Sequence, residues 1–151
     1  MSCIIVYVSK HKGNTKKVAL AMAQEINCEA KSVEEVSVEE LEKYDLLGIG
    51  SGIYAFGMDR ELKKLLKKIK NPNGKKVFVF STSADLNGAK YHKGMKKFLQ
   101  KRGFSFVGEF NCPGAYTGWF FGKKSLNLDR PNESDLKSAK DFAKSIVEKV
   151  F

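Results

Sequence analysis

Proline and cysteine are both scarce in this chain, and their scarcity narrows its class before any motif is read. Three prolines in 151 residues exclude a collagen-like or proline-rich disordered chain. The three cysteines, Cys3, Cys28 and Cys112, stand far apart in sequence, with no CxxC pair and no histidine at metal-ligand spacing. That leaves neither a disulfide framework nor a zinc site. They read as small buried hydrophobes without assigned chemistry and fit a reducing cytoplasm. No apolar run is long enough to cross a bilayer, so no membrane insertion is expected. The first run, Cys3 to Val8, is broken at once by Ser9-Lys10-His11-Lys12, unlike a signal peptide. Arginine is sparse as well, since 24 of the 27 basic residues are lysine. Base-edge readout leans on the planar fork of arginine, so no specific nucleic-acid recognition is expected.

What is present is a soluble globular composition, 42% hydrophobic and 29% charged, in a length that suits one domain over residues 1–151. The net charge of +10 is unevenly spread. Residues 60–103 hold 14 Lys or Arg against two carboxylates, whereas residues 25–45 hold eight carboxylates against two lysines. A dipolar molecule follows, although charge on helices often does no more than face water.

The hydrophobic period alternates between two kinds of segment. Cys3 to Val8 is a short apolar run rich in β-branched residues and reads as a buried strand. Past Asn14, Val18, Ala21, Met22 and Ile26 share one face of a helix. The unit recurs, with Leu46 to Gly50 as a strand and Leu62, Leu65, Leu66 and Ile69 as a helix face. Val77 to Phe80 leads through Ser81-Thr82-Ser83 to a helix over Tyr91 to Arg102, ended by Gly103. Phe106 to Phe110 is another strand, and Leu136, Ala139, Phe142, Ala143, Ile146 and Val147 line the last helix. Residues 30–36 offer a fifth strand. The pattern implies an α/β fold with a doubly wound, five-stranded parallel sheet in the order 2-1-3-4-5. The long irregular stretch from Cys112 to Glu133 is of a length that often carries function.

Ligands of such sheets bind beyond the carboxyl ends of the strands, near the switch in strand order. The loop after the first strand is Ser9-Lys10-His11-Lys12-Gly13-Asn14-Thr15. It opens a helix, where free backbone N–H groups and the positive dipole end favour a phosphate. Ser9 and Thr15 add hydroxyl donors, Gly13 lets the backbone close on an anion, and Lys10, Lys12 and His11 add charge. A ligand-free helix cap at Asn14 or Thr15 accounts for the same residues equally well. Other chemistry is poorly supported. Gly48 to Gly52 lacks the spacing of a hydrolase elbow or a dinucleotide fingerprint, Gly118 to Lys123 is too short for a Walker A loop, and His92, on a lysine-rich stretch, reads as solvated.

Taken together, S-K-H-K-G-N-T after the first strand, Y-D-L-L-G-I-G-S-G-I-Y at Tyr44 to Tyr54, F-S-T-S at Phe80 to Ser83 and R-P-N-E before the last helix resemble the flavodoxin family across nearly the whole chain. The resemblance implies FMN as cofactor, with its phosphate held by Ser9 to Thr15. It places Ser51, Gly52, Ile53, Tyr54, Ala55, Phe56 and Gly57 on one side of the isoalloxazine ring and Ser81, Thr82 and Ser83 at its pyrimidine edge. Tyr54 is the first candidate to lie against the ring and Phe56 the second, while Tyr116 and Trp119 of the long loop are candidates for its outer face. Each of these aromatics also suits an ordinary packing position.

The phosphate loop has lysine and histidine where flavodoxins usually carry hydroxyl residues, and it is one residue longer. Its S-x-x-x-G-x-T spacing resembles flavodoxin-like protoporphyrinogen oxidases. The flavodoxin resemblance implies an electron-transfer protein, and the chain is expected to be monomeric and cytoplasmic. A basic face predicts redox protein partners with an acidic docking face. The alternatives are a small FMN-dependent oxidoreductase acting on a quinone or porphyrinogen, or a binding module of the same fold with weakened FMN affinity.

Overall fold

A computed structural model describes residues 2–10, 13–54, 56–114 and 129–151. Strands β1 (Cys3–Val8), β2 (Glu29–Ser32), β3 (Leu46–Tyr54), β4 (Gly57–Met58), β5 (Lys76–Ser83) and β6 (Ser105–Pro113) alternate with helices. The helices are α1 (Asn14–Glu25), α2 (Val38–Leu41), α3 (Arg60–Lys67), α4 (Lys93–Arg102) and α5 (Glu133–Val150), and a 3-10 turn over Gly88–His92 leads into α4. The sheet runs β2-β1-β3-β5-β6, all parallel, with β4 paired antiparallel to β3. That is the expected order with one short hairpin strand inserted.

The period-2 alternation of β1 divides the core into two layers. Ile4, Val6 and Val8 face one cluster with Leu62 and Leu66 of α3 and Met95 and Leu99 of α4. Cys3, Ile5 and Tyr7 face the other, with Val18 and Met22 of α1 and Ala139 and Ala143 of α5. Helices on both faces are why β1 is buried throughout and reads as an unbroken apolar run.

Several boundaries differ from the sequence reading: β5 runs on through Ser81-Thr82-Ser83, read as a loop, and β6 runs on to Pro113. The strand expected over residues 30–36 stops at Ser32, because Glu35 turns the chain back: its Oε1 accepts the Ser32 N–H at 2.9 Å and its own N–H reaches the Ser32 carbonyl at 3.0 Å. Strand β3 continues past Gly50, since pairing with β5 runs on to Gly52 and Ile53 and Tyr54 then pair with Met58 and Gly57. Gly103, φ 96°, ends α4 in the left-handed conformation as expected.

R-P-N-E proves to be a helix start. Asn132 accepts the Asp135 N–H at 3.0 Å, Asp135 accepts the Asn132 N–H at 2.9 Å, and the Arg130 guanidinium grips the Asp135 carboxylate with two nitrogens. Arg130 holds that carboxyl below its ordinary pKa. Asn132→Ala removes one half of this reciprocal cap and is expected to cost about 1 kcal/mol, read as a lower urea midpoint at unchanged slope.

Candidate functional site

The carboxyl ends of β1, β3 and β5 converge at the point where strand order reverses, and the described residues there form three linked groups. The first is the turn into α1. Gly13 is the N-cap at φ 68°, a left-handed conformation that favours glycine, and it gives no side-chain cap. Among the described residues, a Cβ on Gly13 would meet nothing within 4 Å. Ser9 turns inward instead, its Oγ accepting the Lys16 N–H at 3.3 Å. Thr15 is buried, with Oγ1 2.9 Å from Thr82 Oγ1. A hydroxyl has one donor and two acceptor sites, so Thr15 can give its proton to an anion while accepting from Thr82.

The second group is the β3–β4 hairpin. Ser51 accepts the Asp59 N–H at 3.0 Å and donates to the Gly52 carbonyl at 2.7 Å. Asp59, 6% exposed, caps α3 through the Glu61 N–H at 2.9 Å and pairs with Lys10 Nζ at 3.0 Å. Lys10 also lies 5.1 Å from the centroid of the Tyr54 ring, and the pairing with Asp59 raises its pKa. Desolvation raises the pKa of the Tyr54 phenol, with the nearby Asp59 charge adding to it. At the turn, Phe56 has φ 63° and is 72% exposed. An aromatic residue held left-handed and solvated at a hairpin tip carries strain and little burial in return, the kind of feature found where a ligand or partner is met. Its ring lies 6.1 Å from that of Tyr91.

The third group is the carboxyl end of β5 with the turn beyond it. Alternation sends Thr82 toward α1, but Ser81 and Ser83 toward the opposite face. Ser81 is fully buried, hydrogen-bonded to His92 Nε2 and receiving Asn111 Nδ2 at 2.8 Å. Ser83 receives Asn111 Nδ2 at 3.1 Å and donates to the Asp85 carbonyl. Asp85 gathers Lys90 at 2.9 Å, the Asn87 N–H at 2.8 Å and the Tyr91 hydroxyl at 2.9 Å. These donors, Lys90 first, hold its carboxyl down at about 2. Of the three predicted residues, therefore, only Thr82 presents its hydroxyl to the phosphate loop.

His92 requires a correction. Read as solvated, it is 1% exposed, with Nε2 on Ser81 and Nδ1 3.1 Å from Glu109 Oε1. Burial lowers its pKa, against an opposing pull from Glu109. The chain Ser81–His92–Glu109 has the order of a nucleophile, base and acid, but the serine hydroxyl is buried and has no path to a substrate. Its place is structural: it braces the β5 loop from beneath.

His11, Lys12, Ala55, Tyr116 and Trp119 lie outside the described residues. Sequence reasoning missed Asp59, Asp85, Tyr91 and Asn111. Asp59 was findable, since Asp before Arg-Glu-Leu-Lys-Lys-Leu-Leu is a helix-start signal. Asn111 and His92 were not, because their partners come from other strands.

The family model for a flavodoxin domain matches residues 4–115. The chain belongs to the flavodoxin family. An uncharacterized protein of Methanocaldococcus jannaschii is 42% identical over 149 residues, covering 97% of this chain and 99% of the relative. Among solved structures, an archaeal flavodoxin superposes with a TM-score of 0.78 at 21% identity, covering 99% of each chain. Flavodoxin 2 of Bacillus cereus does so at 0.72 and 22%, again over 99% of each. Membership implies a flavin cofactor, and the residues present fit one. A left-handed glycine turn at a helix N-terminus suits its phosphate, and a half-buried Tyr54 two residues from the exposed Phe56 suits a flat ring. Among the described residues no helix of this flavodoxin-family chain is long and apolar enough to cross a membrane.

Proposed function

We propose that the protein binds FMN and carries electrons between redox proteins. The reading rests on one juxtaposition: the left-handed Gly13 turn, tied to β5 through Thr15 and Thr82, adjoins the hairpin bearing Tyr54 and Phe56. Ser9, Gly13, Asn14 and Thr15 would hold the phosphate, with Lys10, His11 and Lys12 supplying charge. The 51–57 segment and the Thr82–Ser83 end of β5 would flank the ring, with Tyr116 and Trp119 as its outer cover. Bound there, FMN supplies one- and two-electron transfer.

The partner follows from charge. Lys64 and Lys67 on α3 and Lys93, Lys96 and Lys97 on α4 are exposed, and Lys63 lies 5.8 Å from the Phe98 ring, joining the two helices. A lysine-rich face of this kind steers toward an acidic docking surface and makes association salt-sensitive.

Purification without added cofactor, a visible spectrum, and titration with FMN and with riboflavin under fluorescence detection test the proposal. A yellow protein or one-to-one quenching by FMN is expected. Riboflavin should bind about 100-fold more weakly, since losing two charge-assisted hydrogen bonds costs roughly 3 kcal/mol. Absence of FMN quenching sinks the proposal, and equal affinity for the two flavins removes the phosphate role of the Ser9–Thr15 loop.

A further inference from the structure

At the opposite end of β1 from the flavin loops, two cysteines remote in sequence meet. Cys3 Sγ donates to Cys28 Sγ at 3.5 Å, and both thiols are free. The cause is the exit from α1. Asn27 at φ 54° takes the left-handed conformation that asparagine tolerates better than most residues, while the Ile26 N–H returns to the Met22 carbonyl and the Cys28 N–H to that of Ala23. This tight cap delivers Cys28 directly into β2. With Ile4 in register with Glu29, Cys3 and Cys28 stand opposite each other one step before the paired region. Neighbouring strands lie about 5 Å apart, within the Cα separation a disulfide accepts.

Access differs between the two sulfurs. Cys3 is 8% exposed, whereas Cys28 is half-buried. Both line an open cleft with Asn27, Glu29 and Tyr44, so small solutes reach the pair. The hydrogen bond to Cys28, aided by burial, pushes the Cys3 thiol pKa up, so Cys3 keeps its proton while Cys28 meets solvent.

We propose that Cys3 and Cys28 form a reversible dithiol–disulfide site, oxidised by exchange with a low-molecular-weight disulfide. The Cys28 thiolate attacks one sulfur of the small disulfide, forming a mixed disulfide and expelling a first small thiolate. Cys3 then surrenders its proton and attacks Cys28 Sγ, forming the Cys3–Cys28 bond and expelling the second. Two protein thiols lose two electrons, and the small disulfide is reduced to two small thiols. About 16 Å of strand separates Cys3 from Val8, so this chemistry is remote from the flavin loops and proceeds whether or not flavin is bound. The ring it closes encloses β1, the phosphate loop and α1.

The test is equilibration of the full, reduced chain with glutathione buffers from fully reduced to fully oxidised, followed by acid quenching, mass measurement and peptide mapping. The expected result is loss of two hydrogens, a Cys3–Cys28 peptide link, and a fall from three titratable thiols to one after denaturation, with Cys112 the survivor. In Cys3→Ser the first step goes without the second, so a glutathione adduct should accumulate on Cys28. Three free thiols under fully oxidising buffer, a stable adduct on the wild-type chain, or a link through Cys112 would each overturn the proposal.

Discussion

Gly50→Ala is expected to destabilise the chain by roughly 3 kcal/mol, well beyond an ordinary small-to-large surface change. Gly50 in β3 is the register partner of Phe80 in β5, as Gly48 is of Phe78. A Cβ on Gly50 would stand 2.2 Å from two atoms of the Phe80 ring. Phe80 is fully buried and 6.3 Å by centroid from Phe78, so the ring cannot retreat without displacing its neighbour in a close-packed layer. The measurement is the urea midpoint at constant slope. A loss under about 1 kcal/mol would mean that the layer yields more easily than the contact implies. Phe80→Leu made alone removes packing, but in the Gly50→Ala background it should restore part of the lost stability. That difference in sign is the coupling a double-mutant cycle reports.

The second large effect concerns pH. His92 is buried between Ser81 and Glu109, and its pKa in the folded chain is lowered from the ordinary value near 6.5, chiefly by burial. The unfolded chain thus takes up a proton before the folded one does. The contribution of His92 to stability is complete above about pH 6.5 and is lost as pH falls below it, by at most ~1.4 kcal/mol per pH unit. His92→Gln should flatten that slope while costing about 1–3 kcal/mol near neutrality, because Glu109 loses its partner and the Ser81 hydroxyl keeps only Asn111. The other histidine, His11, is present in both chains and cancels in the comparison. An identical slope in wild type and variant between pH 7 and 5 would show that His92 does not carry it.

Much of the fold was legible because each element carries its own local signal. An apolar run with β-branched residues marked β1, i, i+3, i+4, i+7 spacing marked α3, and Gly103 marked the end of α4. The hairpin strand β4 carried no such signal, since Gly57 and Met58 form a strand only through pairing with Ile53 and Tyr54. The site was legible as loops rather than as contacts. The turn at Gly13 was readable from strand, glycine and helix in succession. Which hydroxyl at the end of β5 turns toward it was not, because pleating separates Thr82 from Ser81 and Ser83, and only the sheet's position between two helical layers says which face is which.

The glycines of β3 show the same division. In the sequence they form a bare GxG that lacks the spacing of a dinucleotide fingerprint. In the sheet they are the flat half of two cross-strand pairs whose other half is Phe78 and Phe80, 30 residues downstream in each case.

By itself the sequence determined the alternation of strands and helices, the two-layered core and the phosphate-loop candidate, because periodicity, turn residues and charge act over a few neighbouring residues. Only the tertiary structure decided that Lys10 sits between Tyr54 and Asp59, that His92 is buried, and that Cys3 meets Cys28. Each of those pairings joins residues at least 11 positions apart, on elements whose faces are set by the sheet. Strand order and register place such groups together, and neither is encoded within the segments that carry them.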